Sequence, residues 1–201
     1  MKRIKEKKER ALGTKLFLKA ERCNSPKCAI VRRPTRPGPH GQKRRKAPSE
    51  FGKQLQEKQR IQLMYGLTNR QMTNLFKNDD KESIMNALEH RLDRVVFLLG
   101  IAGSPRVARQ YVSHGHITVN GRKVTVPSFW VKVGDVISVR GESRKTKVFE
   151  ELSMNLKKHT PPSWLKITDA EAGTGTCVKE FSSQETQFPF DINLVGEFFA
   201  R

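Results

Sequence analysis

The spacing of apolar residues predicts helices in the second quarter of the chain. Ser49 is a suitable N-cap, and the mostly polar helix behind it is expected to run to about Tyr65 and to end at Gly66. Thr68 and Gln71 have the spacing of a capping box, which opens a second, shorter helix. These signals predict two consecutive helices that start and stop on local chemistry.

The strongest core helix is expected after Ser83, which is placed to cap it. Apolar residues then recur at three- and four-residue spacing, and Gly100 ends the pattern. They are Ile84, Leu88, Leu92, Val95, Val96 and Leu99. One continuous helix is therefore predicted to supply much of the core.

Beyond this helix the period changes from helical to strand spacing. Ser104 and Pro105 mark an N-cap and a first helical position, and the helix is expected to end at Ser113. Asn120-Gly121 between two strand-like triplets is the strongest short-range hairpin signal. Further strand-like or packed apolar pieces follow at residues 129–131, 136–139, 164–167 and 194–199. The region predicts a small unit of two helices and an antiparallel sheet.

Residues 1–47 show no such periodicity. Prolines and glycines interrupt any helix between residues 32 and 46. This composition cannot bury enough apolar surface to offset its ordering entropy. We therefore expect a basic, irregular extension that takes one shape only against a partner.

The charge identifies the class of that partner. The 201 residues hold 39 Lys and Arg against 20 Asp and Glu, a net charge of +19. The excess lies in residues 1–60, with 20 basic and 5 acidic residues, and in residues 91–147, with 11 and 3. Two separate basic blocks favour nucleic acid. No run approaches the roughly 20 apolar residues of a membrane-spanning helix, so no membrane partner is expected.

Several segments in a fixed order carry a family resemblance. They are residues 16–19 (LFLK), 21–28 (ERCNSPKC), 37–41 (PGPHG), 57–59 (EKQ) before 65–66 (YG), 91–96 (RLDRVV) and 108–124 (ARQYVSHGHITVNGRKV). The last is the most specific, because it combines a helix, a turn and a hairpin. Over nearly its whole length the chain resembles the S-four family of bacterial-type small-subunit ribosomal proteins.

The resemblance implies an α+β fold. A small RNA-binding module at residues 91–147 is inserted into a helical domain, formed by residues 48–90 and 148–201, behind the extension 1–47. It also implies a structural component of the cytoplasmic ribosome that binds a multi-helix junction of small-subunit ribosomal RNA during assembly. Messenger RNA at its entrance and neighbouring small-subunit proteins are the other implied partners. No cofactor and no small-molecule substrate are expected.

Two alternative functions use the same kind of module. An RNA-modifying enzyme such as a pseudouridine synthase needs a separate catalytic domain, and residues 148–201 show no nucleophile–base pair or phosphate loop. A ribosome-associated RNA chaperone is the second alternative, although such factors lack a block like residues 1–90. The sequence therefore favours a non-enzymatic ribosomal protein.

The cysteines bear on metal binding and on the compartment. The odd count of three, without disulfide-scaffold spacing, favours a reducing cytosol. Some members of the family bind zinc with four cysteines, and Cys23 and Cys28 correspond to the second pair. Residues 1–22 contain neither Cys nor His, and His40 would be only a third ligand where a structural site needs four. We expect a degenerate half-site without metal.

The candidate RNA contacts are basic or polar side chains in both blocks, because arginine can span two phosphate oxygens and lysine supplies mobile charge. In the first block they are Arg32, Arg33, Arg36, His40, Gln42, Lys43, Arg44, Arg45, Lys46, Lys53, Lys58 and Arg60. In the second they are Arg106, Arg109, Gln110, Ser113, His114, His116, Asn120, Arg122 and Lys123. The second set is expected to form one phosphate-binding surface where a helix end meets the hairpin. By resemblance, residues 43–46 contact the messenger strand.

Three assignments in this region have two explanations. Asn120 is accounted for equally by its turn or by a ribose 2′-hydroxyl contact. Tyr111 and Trp130 suit core packing better than base stacking.

Overall fold

The computed structural model describes residues 6–43, 47–77, 80–182 and 188–200. The chain divides into two compact units, one made of Met1–Ile84 with Gln184–Arg201 and the other of Met85–Ser183. None of the helices in these described ranges is long and apolar enough to cross a membrane. Mixed helix and antiparallel sheet confirm the predicted α+β class.

The helices and strands follow one another in this order. The helices are α1 Lys7–Leu12, α2 Ala20–Cys23, α3 Ala29–Arg32, α4 Glu50–Tyr65, α5 Asn69–Leu75, α6 Lys81–Glu89, α7 Leu92–Leu98, α8 Pro105–Ser113, α9 Gly141–Arg144, α10 Leu152–Lys158 and α11 Ile192–Phe199. The strands are β1 Ile117–Val119, β2 Arg122–Lys123, β3 Val136–Val139, β4 Leu165–Asp169 and β5 Thr174–Cys177.

Local capping chemistry starts the helices of the first unit. The Ser49 hydroxyl accepts from the third backbone N–H beyond it, and Thr68 with Gln71 forms the predicted capping box. Ser83 does not cap α6, so that prediction is wrong. The Asp80 carboxylate accepts from the Ser83 N–H at 2.8 Å, and the helix already begins at Lys81.

Helix α11 packs on α4 in the first unit. The Gln54 amide donates to the Glu197 carboxylate at 3.0 Å, and the Phe51 and Phe198 rings lie 5.5 Å apart. Residues 194–199, predicted as a strand or packed end, thus belong to a helix that packs within the first unit.

Two helices, α6 and α7, replace the single predicted core helix. The backbone becomes extended at Arg91, with φ −67° and ψ 137°, and pairs there with Trp130. The Val131 N–H donates to the His90 carbonyl, and the Leu92 N–H donates to the carbonyl of residue 129. Residues 129–131, predicted as a strand, contribute only this isolated bridge. Backbone groups of residues 90 and 92 therefore form hydrogen bonds with residues 129–131, whereas in a continuous helix they would bond within the helix.

The second unit contains a five-stranded antiparallel sheet in the order β2-β1-β3-β5-β4. The predicted hairpin is present, with Asn120 at φ 50° and Gly121 at φ 78° as a two-residue turn of positive φ. Strand β5 was not predicted, and its pairing with β3 places residues 148–183 in this unit rather than in the helical domain. A side chain at Gly175 would lie 2.5 Å from Leu99, so β5 needs glycine where α7 ends against the sheet.

Residues 6–43 contain a small buried core that their composition does not predict. Leu12, Leu16 and Leu18 form a small core, and the Glu9 side chain is buried beside it. One Glu9 carboxylate oxygen accepts from the backbone N–H groups of Leu16 and Leu18, at 3.0 and 3.3 Å. A buried acceptor, rather than a large apolar core, organises this segment.

Candidate nucleic-acid interface

The end of α8 and the β1–β2 hairpin meet on one surface of the second unit. Helix α8 starts with the Ser104 hydroxyl accepting from the Val107 N–H and ends at Ser113, with His114 as its C-cap and Gly115, at φ 76°, behind it. A side chain at Gly115 would lie 2.2 Å from Lys123 Cε, so Lys123 extends across the helix end. The structure therefore brings these two predicted segments together.

Positive charge converges around His116 at this junction. The His114 and His116 ring centroids are 6.0 Å apart, and a ring nitrogen of His116 lies 3.0 Å from the Ser143 hydroxyl. Burial lowers the pKa of His116, and the charges of His114, Arg140 and Lys123 lower it further. These groups repel one another in the free protein, which favours an anion between them. We call this set, with Arg122, the hairpin cluster.

Arg140 was not predicted from the sequence. Its backbone N–H donates to the His116 carbonyl at 2.8 Å, and its guanidinium pairs with the exposed Glu142 at 2.7 Å. In the sequence, Arg140 is visible only as a basic residue directly after the apolar β3 pattern. Its position beside His116 follows from the pairing of β1 with β3, which the sequence does not show.

The other predicted contacts on α8 and the hairpin differ in exposure. Arg106 and Arg109 are half-buried. Gln110, Ser113, His114, Arg122 and Lys123 are exposed. Exposed polar side chains at the end of α8 therefore lie next to the hairpin cluster.

Arg109 is held by a buried carboxylate. Asp93 accepts two hydrogen bonds from Arg91, at 3.0 and 2.8 Å, and lies 3.4 Å from the Arg109 guanidinium. The Asp93 and Arg91 side chains are only 7% and 10% exposed, whereas that of Arg109 is 25% exposed. Asp93 thus fixes one edge of Arg109 and leaves part of the guanidinium accessible.

The two explanations for Asn120 are separated by its contacts. Its amide nitrogen donates to Asp135 at 2.8 Å, and its amide oxygen accepts from the Val136 N–H at 2.9 Å. Both polar atoms thus tie the hairpin turn to the start of β3, which favours the structural explanation, and a ribose 2′-hydroxyl contact stays a prediction.

The two aromatic candidates have different surroundings. Tyr111 is half-buried, with its ring 4.8 Å from that of Phe149. Trp130 is 46% exposed and stacks on His90 at 5.2 Å with an interplanar angle of 9°. Packing therefore accounts for the contacts of Tyr111 and of one face of Trp130, and base stacking by either ring stays a prediction.

The predicted RNA-binding residues of the first unit differ in exposure and in their intramolecular contacts. Arg32, Arg33, His40, Gln42, Lys43 and Lys53 are exposed, and Arg36 is half-buried. Arg44, Arg45 and Lys46 lie outside the described residues. The Lys58 ammonium lies 4.5 Å from the centre of the Phe198 ring, and Arg60 pairs with Glu57. The predicted RNA contacts of Lys58 and Arg60 would compete with these partners.

The cysteines do not assemble a zinc site. Cys23 and Cys28 are buried, and His40 is exposed. Within the described ranges, no group of three or more His, Cys, Asp or Glu side chains could hold a metal ion. Burial raises the pKa of the Cys23 thiol, and the neighbouring Glu9 and Cys28 raise it further. A structural zinc site needs four ligands, and among the described residues these two thiols have no third ligand beside them. The residues present therefore do not fit zinc.

Comparisons with known proteins agree with this arrangement. Residues 1–92 match the family model described as "Ribosomal protein S4/S9 N-terminal domain", and residues 90–137 match the one described as "S4 domain". The chain is 44% identical to the small ribosomal subunit protein uS4 of Halothermothrix orenii, with 94% of this chain and 93% of the relative covered. It is 43% identical to uS4 of Thermus thermophilus and 44% identical to uS4A of Symbiobacterium thermophilum, over the same shares. The chain belongs to the uS4 family of small ribosomal subunit proteins.

Proposed function

We propose that this chain is a structural component of the small ribosomal subunit that binds ribosomal RNA in the cytoplasm and catalyses no reaction. The hairpin cluster carries the proposal, because the end of α8 and the β1–β2 hairpin bring its cations together on one surface. Relatives over nearly the whole chain are named as small ribosomal subunit proteins. The predicted ribosomal function follows from site and family together.

Binding is electrostatic and geometric. A folded RNA brings phosphates close together, and cations on a rigid frame relieve their repulsion. Arg109 lies on helix α8, and Asp93 orients its guanidinium. We infer that the surface recognises the shape of folded RNA rather than a base sequence.

The finer assignments extend this proposal by family resemblance. Basic side chains occur in both compact units, which suits an RNA site made of several helices that join during assembly. Residues 43–46 are assigned to the messenger RNA entrance, and neighbouring small-subunit proteins are assigned as further partners. Charge and sequence order support these assignments.

The test is binding of the full chain to a transcript of bacterial small-subunit ribosomal RNA at several salt concentrations. The variant Arg122→Gln/Lys123→Gln removes two exposed cations of the hairpin cluster. The control, Lys157→Gln/Lys166→Gln, removes two exposed lysines on α10 and on the β4 edge of the sheet, the opposite edge from β2.

We expect the hairpin variant to weaken binding about tenfold and to reduce the salt slope by roughly 1.4–1.8, the effect of two lost phosphate contacts. The control should change affinity by about threefold or less, since long-range charge is screened. Equal effects of the two variants would contradict the assignment of this surface.

A further inference from the structure

Exposed apolar side chains concentrate on one part of the second unit. Among the described residues eleven large apolar side chains are exposed, and five of these lie in residues 126–133 and at residue 178. The five are Val126, Phe129, Trp130, Val133 and Val178, each between 37% and 54% exposed. We call them the apolar patch. Contiguous apolar surface on a protein that otherwise carries many charges marks a site of interaction.

Backbone hydrogen bonds hold the two parts of the apolar patch side by side. The Gly134 N–H donates to the Cys177 carbonyl at 2.8 Å, so Val133 and Val178 flank that hydrogen bond. The Val178 N–H in turn donates to the carbonyl of the buried Trp164 at 2.9 Å. The valines are therefore anchored to the core of the unit although their side chains face solvent.

The aromatic part of the apolar patch is fixed in the same way. The Phe129 N–H donates to the Val126 carbonyl at 3.1 Å, and the Phe129 carbonyl accepts from the Leu92 N–H at 2.9 Å. Trp130 stacks by one face on the buried His90 and is still 46% exposed. The patch thus exists before any partner arrives, which lowers the ordering cost of binding.

Little of this sequence remains that could cover the apolar patch. The residues outside the described ranges are mostly polar, and Met1 and Ile4 are the only large apolar ones among them. Both stand next to Lys or Arg. A second copy of the chain is disfavoured as well, because two molecules with a net charge of +19 repel each other. The occupant is therefore a different molecule.

The chemistry of the apolar patch favours protein over RNA as that molecule. A base can stack on the open face of Trp130, but phosphate and ribose offer no apolar surface to the three valines. Valine methyl groups are removed from water by apolar side chains. Aromatic and aliphatic anchors surrounded by polar groups are the usual anatomy of a protein–protein interface.

The charge around the apolar patch defines its partner further. Residues Met85–Ser183, the unit that carries the patch, contain 15 basic and 9 acidic residues. Lys132 is exposed between Trp130 and Val133, and the neighbouring Asp135 carboxylate already accepts hydrogen bonds within the unit. Complementary charge favours acidic side chains on the partner. We propose that the apolar patch is the docking site for another protein of the small subunit, which presents apolar side chains flanked by acidic ones.

This inference rests on the proposed ribosomal function, and the experiment separates the two. Val133→Cys places a thiol in the patch, and Met154→Cys places one on α10 as a control, at a residue that is 60% exposed. The three native cysteines are buried, so a maleimide reacts first with the introduced thiol. Labelling rates are measured for the free chain, for the chain on a small-subunit RNA transcript, and after addition of total small-subunit proteins from which uS4 has been removed.

We expect the transcript alone to change the labelling rate of Val133→Cys by about twofold or less, and the added proteins to lower it about tenfold, because a docked partner excludes solvent from the patch. The Met154→Cys rate should fall by about threefold or less at the protein step. A tenfold fall on RNA alone would assign the patch to RNA. That result would overturn the proposal, as would an equal fall at both positions or a fall when the free chain is concentrated.

Lys132→Glu tests the charge of the partner, with Val178→Cys as the reporter and Lys157→Glu, on α10, as the charge control. Each rate is divided by that of the same variant free in solution. We expect Lys132→Glu to weaken protection by the added proteins about threefold, because it places like charges across the interface. Lys157→Glu should leave protection unchanged. Equal protection in the two variants would refute an acidic partner.

The two failures give different patterns. Should the chain be absent from particles that sediment as small subunits, the proposed ribosomal function itself fails. Should it be present while the Val133→Cys thiol stays as reactive as in the free chain, only the docking inference fails.

Discussion

Replacing Asp93 by Asn tests how the second unit holds its arginines. Asp93 accepts two short hydrogen bonds from Arg91 and lies 3.4 Å from Arg109. Asn removes the negative charge and turns an NH₂ donor toward a guanidinium. Arg91, whose side chain is 10% exposed, then keeps a buried charge without a counter-ion.

Removing one partner of a buried ion pair costs about 3–5 kcal/mol in unfolding free energy. We expect about 3 kcal/mol here, because the Asp93 pair retains some solvent exposure and Arg91 can move toward water. Urea denaturation measures this difference, with far-UV circular dichroism as the probe.

A compensated variant checks the cause. Arg91→Met/Asp93→Leu replaces both charges by apolar groups, and we expect it to recover at least about 2 kcal/mol relative to Asp93→Asn. A loss below about 1 kcal/mol for Asp93→Asn would refute the reasoning, since a buried pair cannot be broken so cheaply. A double variant as unstable as the single one would show that shape, not charge, matters.

Three other perturbations follow from the structure. Glu9→Ala leaves two buried N–H groups without their acceptor, and should lower the unfolding free energy measured in urea by about 2–4 kcal/mol. Gly175→Ala places a methyl group against Leu99, and should lower the free energy of unfolding measured in urea by about 1–3 kcal/mol. His116 has a lowered pKa, so the free protein loses stability as pH falls through the unfolded value of about 6.5. RNA phosphates favour the charged imidazole, so transcript affinity should rise from pH 7.5 to pH 6.

Each of these has its own control. Glu9→Gln keeps one acceptor oxygen and should cost less than Glu9→Ala. Ala at the exposed Gly141, which has no close neighbour, should be nearly neutral where Gly175→Ala is not. His116→Gln should flatten the pH dependence of RNA binding relative to His114→Gln, and an unchanged dependence would exclude His116 as its source.

Features that depend on neighbouring residues were predictable from the sequence. The caps at Ser49 and Thr68 and the Asn120-Gly121 hairpin need only the geometry of one turn. The break at Arg91 and strand β5 depend instead on pairing with distant segments. The apolar period continues through residue 91, so nothing local marks the change from α6 to α7.

The candidate site shows the same division. Charge and motif located the junction of α8 with the hairpin, because both segments are close in sequence. They could not show that Lys58 and Arg60 have aromatic and acidic partners. They also missed Glu9 and Arg10, whose roles arise from contacts with carbonyl and N–H groups of other segments.

Stable incorporation into the small ribosomal subunit is the most direct test of the central claim. A tagged copy of the chain would be expressed in a bacterium whose own uS4 gene is repressed, and small subunits would be sedimented after a high-salt wash. We predict about one copy per subunit after the wash and restored growth. Loss of the chain from washed subunits, or sedimentation only with free RNA and protein, would contradict a structural role in the ribosome.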